Sequence, residues 1–509
     1  MFEGQPKGLF TLALANTGER FGYYTMLAVF VLFLQENFGL SAAAAASFYS
    51  TFLMFVYLLP LFGGILADKF GYSKMVTLGI VVMFLGYLLL AIPAGAGTLA
   101  YIFMTVALAM VAMGTGLFNG NLQVMVGNLY DDPQYSHLRD SAFSIFYMAI
   151  NIGALFAPSA AVELMRWAQE SMGASVADSY HYAFGVACFS LVVSIAIYHF
   201  GRPTFAQILK TDNKKNNAQT ESKGEELTPA QTKERVIALC LVFAVVIFFW
   251  MAFQQNGLTL TYFARDYVET SSTGAPSMMF NVWNLVLILV GEYAFISLFQ
   301  SKKSKGKITS SLILAVTLGL VMYQYHNIPL STAVDAPIFQ QFNPFFVIAL
   351  TPLILALFSQ LNKRHLEPSA PKKIGFGMII AALGFMVITL GCFGLESPNT
   401  QVAGIKAGAE VTRVSANWLV STYLVLTFAE LFLSPMGISF VSKVAPPKMK
   451  GMMMGGWFVA TAVGNWLTFI PAMIWGDYSL VIVWGLLITL CLISAIFIFS
   501  ILKRLEKVC

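Results

Sequence analysis

Glu430 lies in A-E-L-F-L-S-P-M-G (429–437), inside a long apolar run, and Glu19 and Arg20 are adjacent in N-T-G-E-R-F-G-Y-Y (16–24). A carboxylate in hydrocarbon has no water to solvate it, so it persists where it binds a cation, carries a proton or pairs with another helix. Adjacent helix residues point about 100° apart and do not face each other. Glu19 is therefore left to find another donor, to reach Arg20 by bending, or to hold a proton, as a desolvated carboxylate without a partner does. These spacings make Glu19, Arg20 and Glu430 the candidates for proton coupling. Bond-making chemistry has no comparable support. The five cysteines, Cys188, Cys240, Cys392, Cys491 and Cys509, share no metal-ligand spacing with one another or with the five histidines. No His stands at motif spacing from a Ser or Cys, so the expectation is a protein that is not an enzyme and needs neither metal nor cofactor.

The elements that position these residues must be membrane helices. A 509-residue chain that is 58% hydrophobic and 11% charged cannot bury that much apolar surface in one water-soluble core. Spanning a bilayer takes about 20 apolar residues per helix. Fourteen stretches qualify, near 9–34, 45–67, 75–93, 98–126, 141–163, 181–200, 235–263, 276–300, 308–325, 342–361, 374–394, 415–442, 451–474 and 478–502. An even number puts both termini on one side. With that side cytoplasmic, 25 of the 30 Lys and Arg fall in inside loops or tails; Arg166, Arg265, Lys406 and Arg413 are outside and Arg20 is within a helix. The first stretch reads as a spanning helix, not a cleaved leader. The net charge of +5 suits loops facing anionic lipid and gives no reason to expect a nucleic-acid partner.

The polar stretch 201–234 divides the chain into six helices (1–200) and eight (235–509). Six plus six around a cytoplasmic linker is the plan of the major facilitator fold. The expected architecture is an all-α membrane protein with twelve core helices in two six-helix bundles and an inserted two-helix hairpin at about 268–330. In the hairpin's first helix, Asn281, Asn284 and Glu292 lie within about 80° of one another, and that polar face is expected to pack against the transporter body.

G-G-I-L-A-D-K-F-G-Y-S-K (63–74) resembles the facilitator signature between helices 2 and 3. Gly63 and Gly64 permit close helix contact, and Asp68, at a helix C-terminus, needs a partner. In that superfamily the partner belongs to the neighbouring bundle. A sharper resemblance, to the proton-dependent oligopeptide transporter family, starts at Pro6-Lys7-Gly8-Leu9-Phe10 and runs through N-T-G-E-R-F-G-Y-Y (16–24). It continues in G-T-G-L-F-N-G-N (114–121), R-D-S-A-F-S-I-F-Y-M-A-I-N-I-G-A (139–154), F-N-P-F-F (342–346), A-E-L-F-L-S-P-M-G (429–437) and K-V-A-P-P-K-M-K-G-M-M-M-G-G-W-F (443–458).

The resemblance implies that Tyr23, Tyr24, Tyr57, Asn151, Asn343 and Glu430 line a central cavity, with Glu430 taking a peptide's amino group. It also marks departures: the family's charges are replaced by Asn16, Leu27, Asn119 and Gln254, two acids and two bases lost together. Losing a buried pair leaves no stranded charge, and the new amides are expected to satisfy each other. With Trp457, the site is aromatic and rich in amides. The expected function is alternating-access transport of di- or tripeptides or peptide-like molecules across a bacterial inner membrane by a monomer, with altered proton coupling. Uncoupled or differently coupled transport of a non-peptide or modified peptide is the alternative within transport, and a transporter-like ligand sensor the alternative outside it. The weakened carboxylate clamp shifts the expected choice toward substrates whose C-terminal carboxylate is masked, distant or absent.

Overall fold

The computed structural model describes residues 4–212, 227–301, 303–407, 409 and 411–508, so the centre of the polar linker lies outside the described residues. The helices are α1 Lys7–Phe38, α2 Ala42–Phe70, α3 Tyr72–Leu90, α4 Thr98–Asn128, α5 Arg139–Met172, α6 Val176–Phe200 and the short α7 Ala206–Asp212. Then come α8 Pro229–Phe253 and its continuation α9 Thr259–Tyr267, the hairpin α10 Val282–Gln300 and α11 Ser304–His326, α12 Phe342–Lys363, α13 Ala370–Gly391 and the short α14 Pro398–Lys406. The chain ends with α15 Ala416–Val444, α16 Lys450–Leu467 and its continuation α17 Phe469–Met473, α18 Leu480–Ser500 and α19 Leu502–Lys507. Helices α1–α6 form one bundle. Helices α8–α9, α12, α13, α15, α16–α17 and α18 form the other.

Thirteen spans among the described residues are long and apolar enough to cross a membrane. α1 is not one of them, although it has 32 residues, because Asn16, Thr17, Glu19, Arg20, Tyr23 and Tyr24 dilute its apolar run. With α1, the number is the fourteen expected from hydropathy. The chain is a multi-pass membrane protein whose least apolar spanning helix carries much of its polar chemistry.

Bends fall where the bundles meet. Pro60, Pro158, Pro352 and Pro435 lie inside α2, α5, α12 and α15, and a proline inside a helix removes a backbone bond and tilts the axis. α2 packs on α16 and α17, and α5 on α12, while α5 reaches α15 through Tyr147 and Glu430. Between α8 and α9 the helix breaks outright: Gln254–Gly257 form a 3₁₀ turn and Leu258 adopts φ −124°, ψ −96°.

The start of α1 and the short α19 lie on one face, called the terminal face. Toward the opposite, distal face a ring of side-chain bonds ties the bundles together. Arg166 pairs with Asp335 at 2.7 Å, Ser159 donates to Gln341 at 2.7 Å, and Arg265 donates to Gln35 at 2.7 Å. Tyr262 donates to the Ala42 carbonyl at 3.0 Å and Gln340 to the Ala28 carbonyl at 3.1 Å. A partly exposed ion pair such as Arg166–Asp335 is worth about 1 kcal/mol or less, so these are weak links that a rocking motion can open. The C-terminal half of α12 carries an exposed groove along Leu353, Leu357, Gln360 and Leu361.

The hairpin enters and leaves the second bundle at one point. β1 (Ser271–Ser272) pairs antiparallel with β2 (Thr332–Ala333), the Val334 amide donates to the Thr270 carbonyl at 2.8 Å, and the Glu269 amide to Val414 at 3.0 Å. α10 packs along α11, with Gly291 against Thr317. It touches the body through Tyr293, whose hydroxyl donates to the Ile348 carbonyl at 3.1 Å, and through Trp283 against Phe156 at 5.4 Å. The expected polar docking face is therefore corrected. Asn281 is the exposed N-cap of α10, accepting from the Trp283 amide. Asn284 donates to the Met278 carbonyl at 3.0 Å, and Glu292 is half-buried. Asn281 caps an unpaired amide at the start of α10, and Asn284 ties α10 to the turn that precedes it, Ala275–Phe280.

Candidate functional site

Glu430 is buried on α15, one turn before the Pro435 bend. Its Oε2 accepts from Asn343 Nδ2 of α12 at 2.9 Å, and its Oε1 accepts a long 3.5 Å bond from the Tyr147 hydroxyl of α5, in the other bundle. The same Asn343 amide also donates to Thr427 Oγ1 at 3.1 Å. Tyr24, Tyr57 and Tyr147 all stand within electrostatic reach of Glu430, so the first bundle offers three phenols to the carboxylate of the second. Each partner of Glu430 is neutral. Among the described residues no countercharge pairs with this hydrogen-bonded carboxylate, which suits a group whose cation arrives from outside.

One floor of this space is built by α1. Arg20 embraces Glu19 through two bonds of 2.6 Å, and its guanidinium lies 4.4 Å above the Tyr23 ring and 6.0 Å from that of Tyr24. Tyr23 and Tyr24 meet edge to face at 5.2 Å. The expectation that neighbours on a helix do not face each other thus fails at Glu19. The Arg side chain is long enough to fold back, and in a dry interior the alternative is two separated buried charges. Bending, one of the routes open in the sequence, is the one the structure takes.

The replaced charges behave differently from expectation. Asn16 is buried and its amide nitrogen meets no acceptor among the described residues. Asn119 and Gln254 are half-buried on α4 and at the α8–α9 break. No hydrogen bond joins these three among the described residues: Asn16 and Asn119 are shorter than the Glu and Lys they stand for, although Gln254 keeps the reach of a Glu. Leu27 is buried core. Asn151 gives its amide to the Tyr147 carbonyl at 3.0 Å, so it braces the turn that presents Tyr147. Trp457 is buried against Gly437 of α15, two turns beyond Glu430, where an added Cβ would meet its ring at 2.0 Å.

In the 63–74 segment, a Cβ on Gly63 would lie 2.1 Å from the Gly116 carbonyl of α4, whereas one on Gly64 would meet nothing within 4 Å. Only Gly63 makes the close contact expected of both. Asp68 is exposed and accepts from the hydroxyl of Tyr72, a neighbour on its own turn, where the resemblance implied a partner in the other bundle. Gly63→Val is expected to cost about 1–3 kcal/mol, as overpacking does, and to lower the melting temperature of the purified protein, while Gly64→Ala leaves it unchanged; equal effects would refute the assignment.

Sequence reading missed Tyr147, Thr427 and Asn121. Each had a signal in helical spacing: Tyr147 lies one turn before Asn151, and Thr427 one turn before Glu430. Asn121 is buried in the glycine-rich part of α4 and donates to the Gly63 carbonyl at 3.2 Å.

Two six-helix bundles around a carboxylate at mid-membrane depth define the major facilitator class. Comparison with known proteins narrows it: the model of the POT family matches residues 73–223 and 325–477, and this chain belongs to that family. It is 29% identical over 501 residues to a di-/tripeptide transporter of Lactococcus lactis, covering 91% of this chain and 88% of that one. It is 30% identical over 492 residues to an uncharacterized transporter, YclF, of Bacillus subtilis, covering 91% and 87%. Among solved structures it is similar to a peptide transporter crystallised with sulfate, with TM-score 0.73, 22% identity and coverage of 100% of this chain and 96% of that one. It is also similar to a POT family transporter in complex with 5-aminolevulinic acid, with TM-score 0.72, 19% identity and coverage of 99% and 98%.

Proposed function

We propose that this protein is a monomeric secondary transporter of di- and tripeptides or peptide-like molecules, working by alternating access in the bacterial inner membrane with both termini cytoplasmic. The observation that carries the reading is Glu430, held by Asn343 and Tyr147 with no countercharge among the described residues, beneath a distal face tied by inter-bundle bonds. A substrate amine supplies the missing positive charge. The names of relatives such as the Lactococcus lactis protein support a peptide as the molecule that carries it. The excess of Lys and Arg in loops on the terminal face supports the orientation, which makes the distal face extracytoplasmic.

Protons couple through Glu430 in this reading. Both oxygens of Glu19 are taken by Arg20, so Glu430 is the carboxylate whose cation can be exchanged between substrate and proton. The carboxylate end of a peptide meets Asn119 and Gln254 where the family resemblance implies charges, and neutral amides discriminate weakly between an acid and an amide. Competition assays in proteoliposomes test this: a tripeptide C-terminal amide is expected to inhibit labelled dipeptide uptake within about threefold of the free tripeptide, since a neutral hydrogen bond is worth about 1 kcal/mol. A hundredfold preference for the free acid would overturn this part of the reading.

A further inference from the structure

Glu430, Thr427 and Tyr423 lie at i, i−3 and i−7 on α15, within about 60° of one another and so on one face. They do more than share that face. Asn343 donates to both Glu430 at 2.9 Å and Thr427 Oγ1 at 3.1 Å. Thr427 passes its own hydroxyl proton to the Tyr423 carbonyl at 2.8 Å. The Tyr423 ring is buried and its hydroxyl leaves α15 altogether, donating to the Asn256 carbonyl at 2.8 Å. Asn256 sits in the 3₁₀ turn that breaks the seventh spanning helix.

The same carbonyl accepts a second hydroxyl, from Thr261 of α9, at 3.2 Å. Thr261 in turn accepts from Gln340 Nε2 at 3.2 Å, and that amide also donates to the Ala28 carbonyl of α1 at 3.1 Å. Gln340 is one of the residues that close the distal face. A continuous chain of bonds therefore runs from the carboxylate through Asn343, Thr427, Tyr423, the helix break and Thr261 to the inter-bundle closure. A broken helix leaves carbonyls without their usual amide partners. Here two side-chain hydroxyls satisfy one, and the hydroxyl from α15 fixes how α9 is angled against the helix that carries Glu430.

We propose that Thr427 and Tyr423 are positioning residues that tie the Glu430 carboxylate to the break in the seventh spanning helix, so that a change at Glu430 is transmitted to α9 and the distal closure. The proposal rests on the reading of Glu430 as the amine site only for the identity of the trigger. The connection itself is a property of the ligand-free protein. A Tyr hydroxyl that merely filled a bonding vacancy would have no reason to depend on Thr427, whereas a link in the chain does.

Hydrogen exchange of the full-length protein in detergent, read by mass spectrometry over α9 and Ala336–Gln341, tests this. In ligand-free protein, Tyr423→Phe and Thr427→Val are each expected to speed exchange in these segments by about three- to tenfold, the effect of losing one hydrogen bond. Thr427→Ser, which keeps the hydroxyl, should match the unaltered protein, and α3 and α4 should not change. Dialanine should slow α9 exchange in the unaltered protein and in Thr427→Ser but not in the other two variants. Unchanged α9 exchange in Tyr423→Phe, or a rise spread equally over both bundles, would overturn the proposal. If the variants respond as expected while dialanine protects none of the proteins, the connection stands and the amine reading of Glu430 falls.

Discussion

Glu430→Gln is expected to lower kcat/KM for dipeptide uptake by at least about 30-fold, because removing one member of a buried hydrogen-bonded charge pair costs about 2–5 kcal/mol. The variant keeps an oxygen that accepts from Asn343, and its NH2 can donate to the Tyr147 hydroxyl, so the site stays folded while losing the charge that a substrate ammonium needs. The loss should depend on the substrate. An N-acetylated dipeptide has no ammonium to lose, and its uptake, low at the outset, should fall by no more than about threefold. Parallel measurement of both substrates in proteoliposomes separates this from a general defect. Equal loss for the two would mean that Glu430 supports the protein without receiving the amine.

Glu19→Gln alone is expected to destabilise the protein by about 3–5 kcal/mol, and Glu19→Gln with Arg20→Gln by much less. The reason is geometric. Arg20 is buried against Tyr23 and Tyr24, and with an amide in place of Glu19 it loses its countercharge and one of the two oxygens that accept its 2.6 Å bonds. The double substitution leaves amides that can bond each other. Thermal melting in detergent reads the difference as a lowered transition for the single variant that the second substitution largely restores. An unchanged single variant would show that another group, not Glu19, compensates Arg20. The same pair bears on coupling: because the double variant retains Glu430, it should still accumulate substrate along an acid-outside gradient.

The architecture was legible because a bilayer imposes helix length and apolarity independently of tertiary detail. α1 is the instructive case: its polar residues make it the weakest span by hydropathy, and the same residues build part of the site. Glu430 was legible for the same physical reason, since a carboxylate in an apolar run stands out without any partner being known. Its surroundings were not. Tyr147 is unremarkable by type, and only the packing of α5 against α15 brings it to the carboxylate, while Thr427 joins the site by sharing α15 with Glu430 and a bond with Asn343 of α12.

Rules of helix spacing left three routes open at Glu19, and the structure takes bending, because the rules describe the directions of Cβ atoms and the long Arg20 side chain folds back past them. The expected mutual satisfaction of Asn16, Asn119 and Gln254 assumed that amides inherit the reach of the charges they replace. The unpaired Asn16 nitrogen shows that they do not. Gly63 and Gly64 look alike in sequence, but only one faces α4. Asp68 found its partner one turn away in Tyr72, a local solution that a motif defined by inter-bundle locking does not suggest.

The most direct test of the account is uptake of a labelled dipeptide by proteoliposomes holding the unaltered protein, with and without an acid-outside pH gradient, beside protein-free vesicles. The account predicts protein-dependent uptake, with accumulation above equilibrium only when the gradient is present. Protein-dependent equilibration that the gradient leaves unchanged would contradict coupling through Glu430. Uptake no greater than in protein-free vesicles, for the dipeptide and for its C-terminal amide alike, would contradict peptide transport itself.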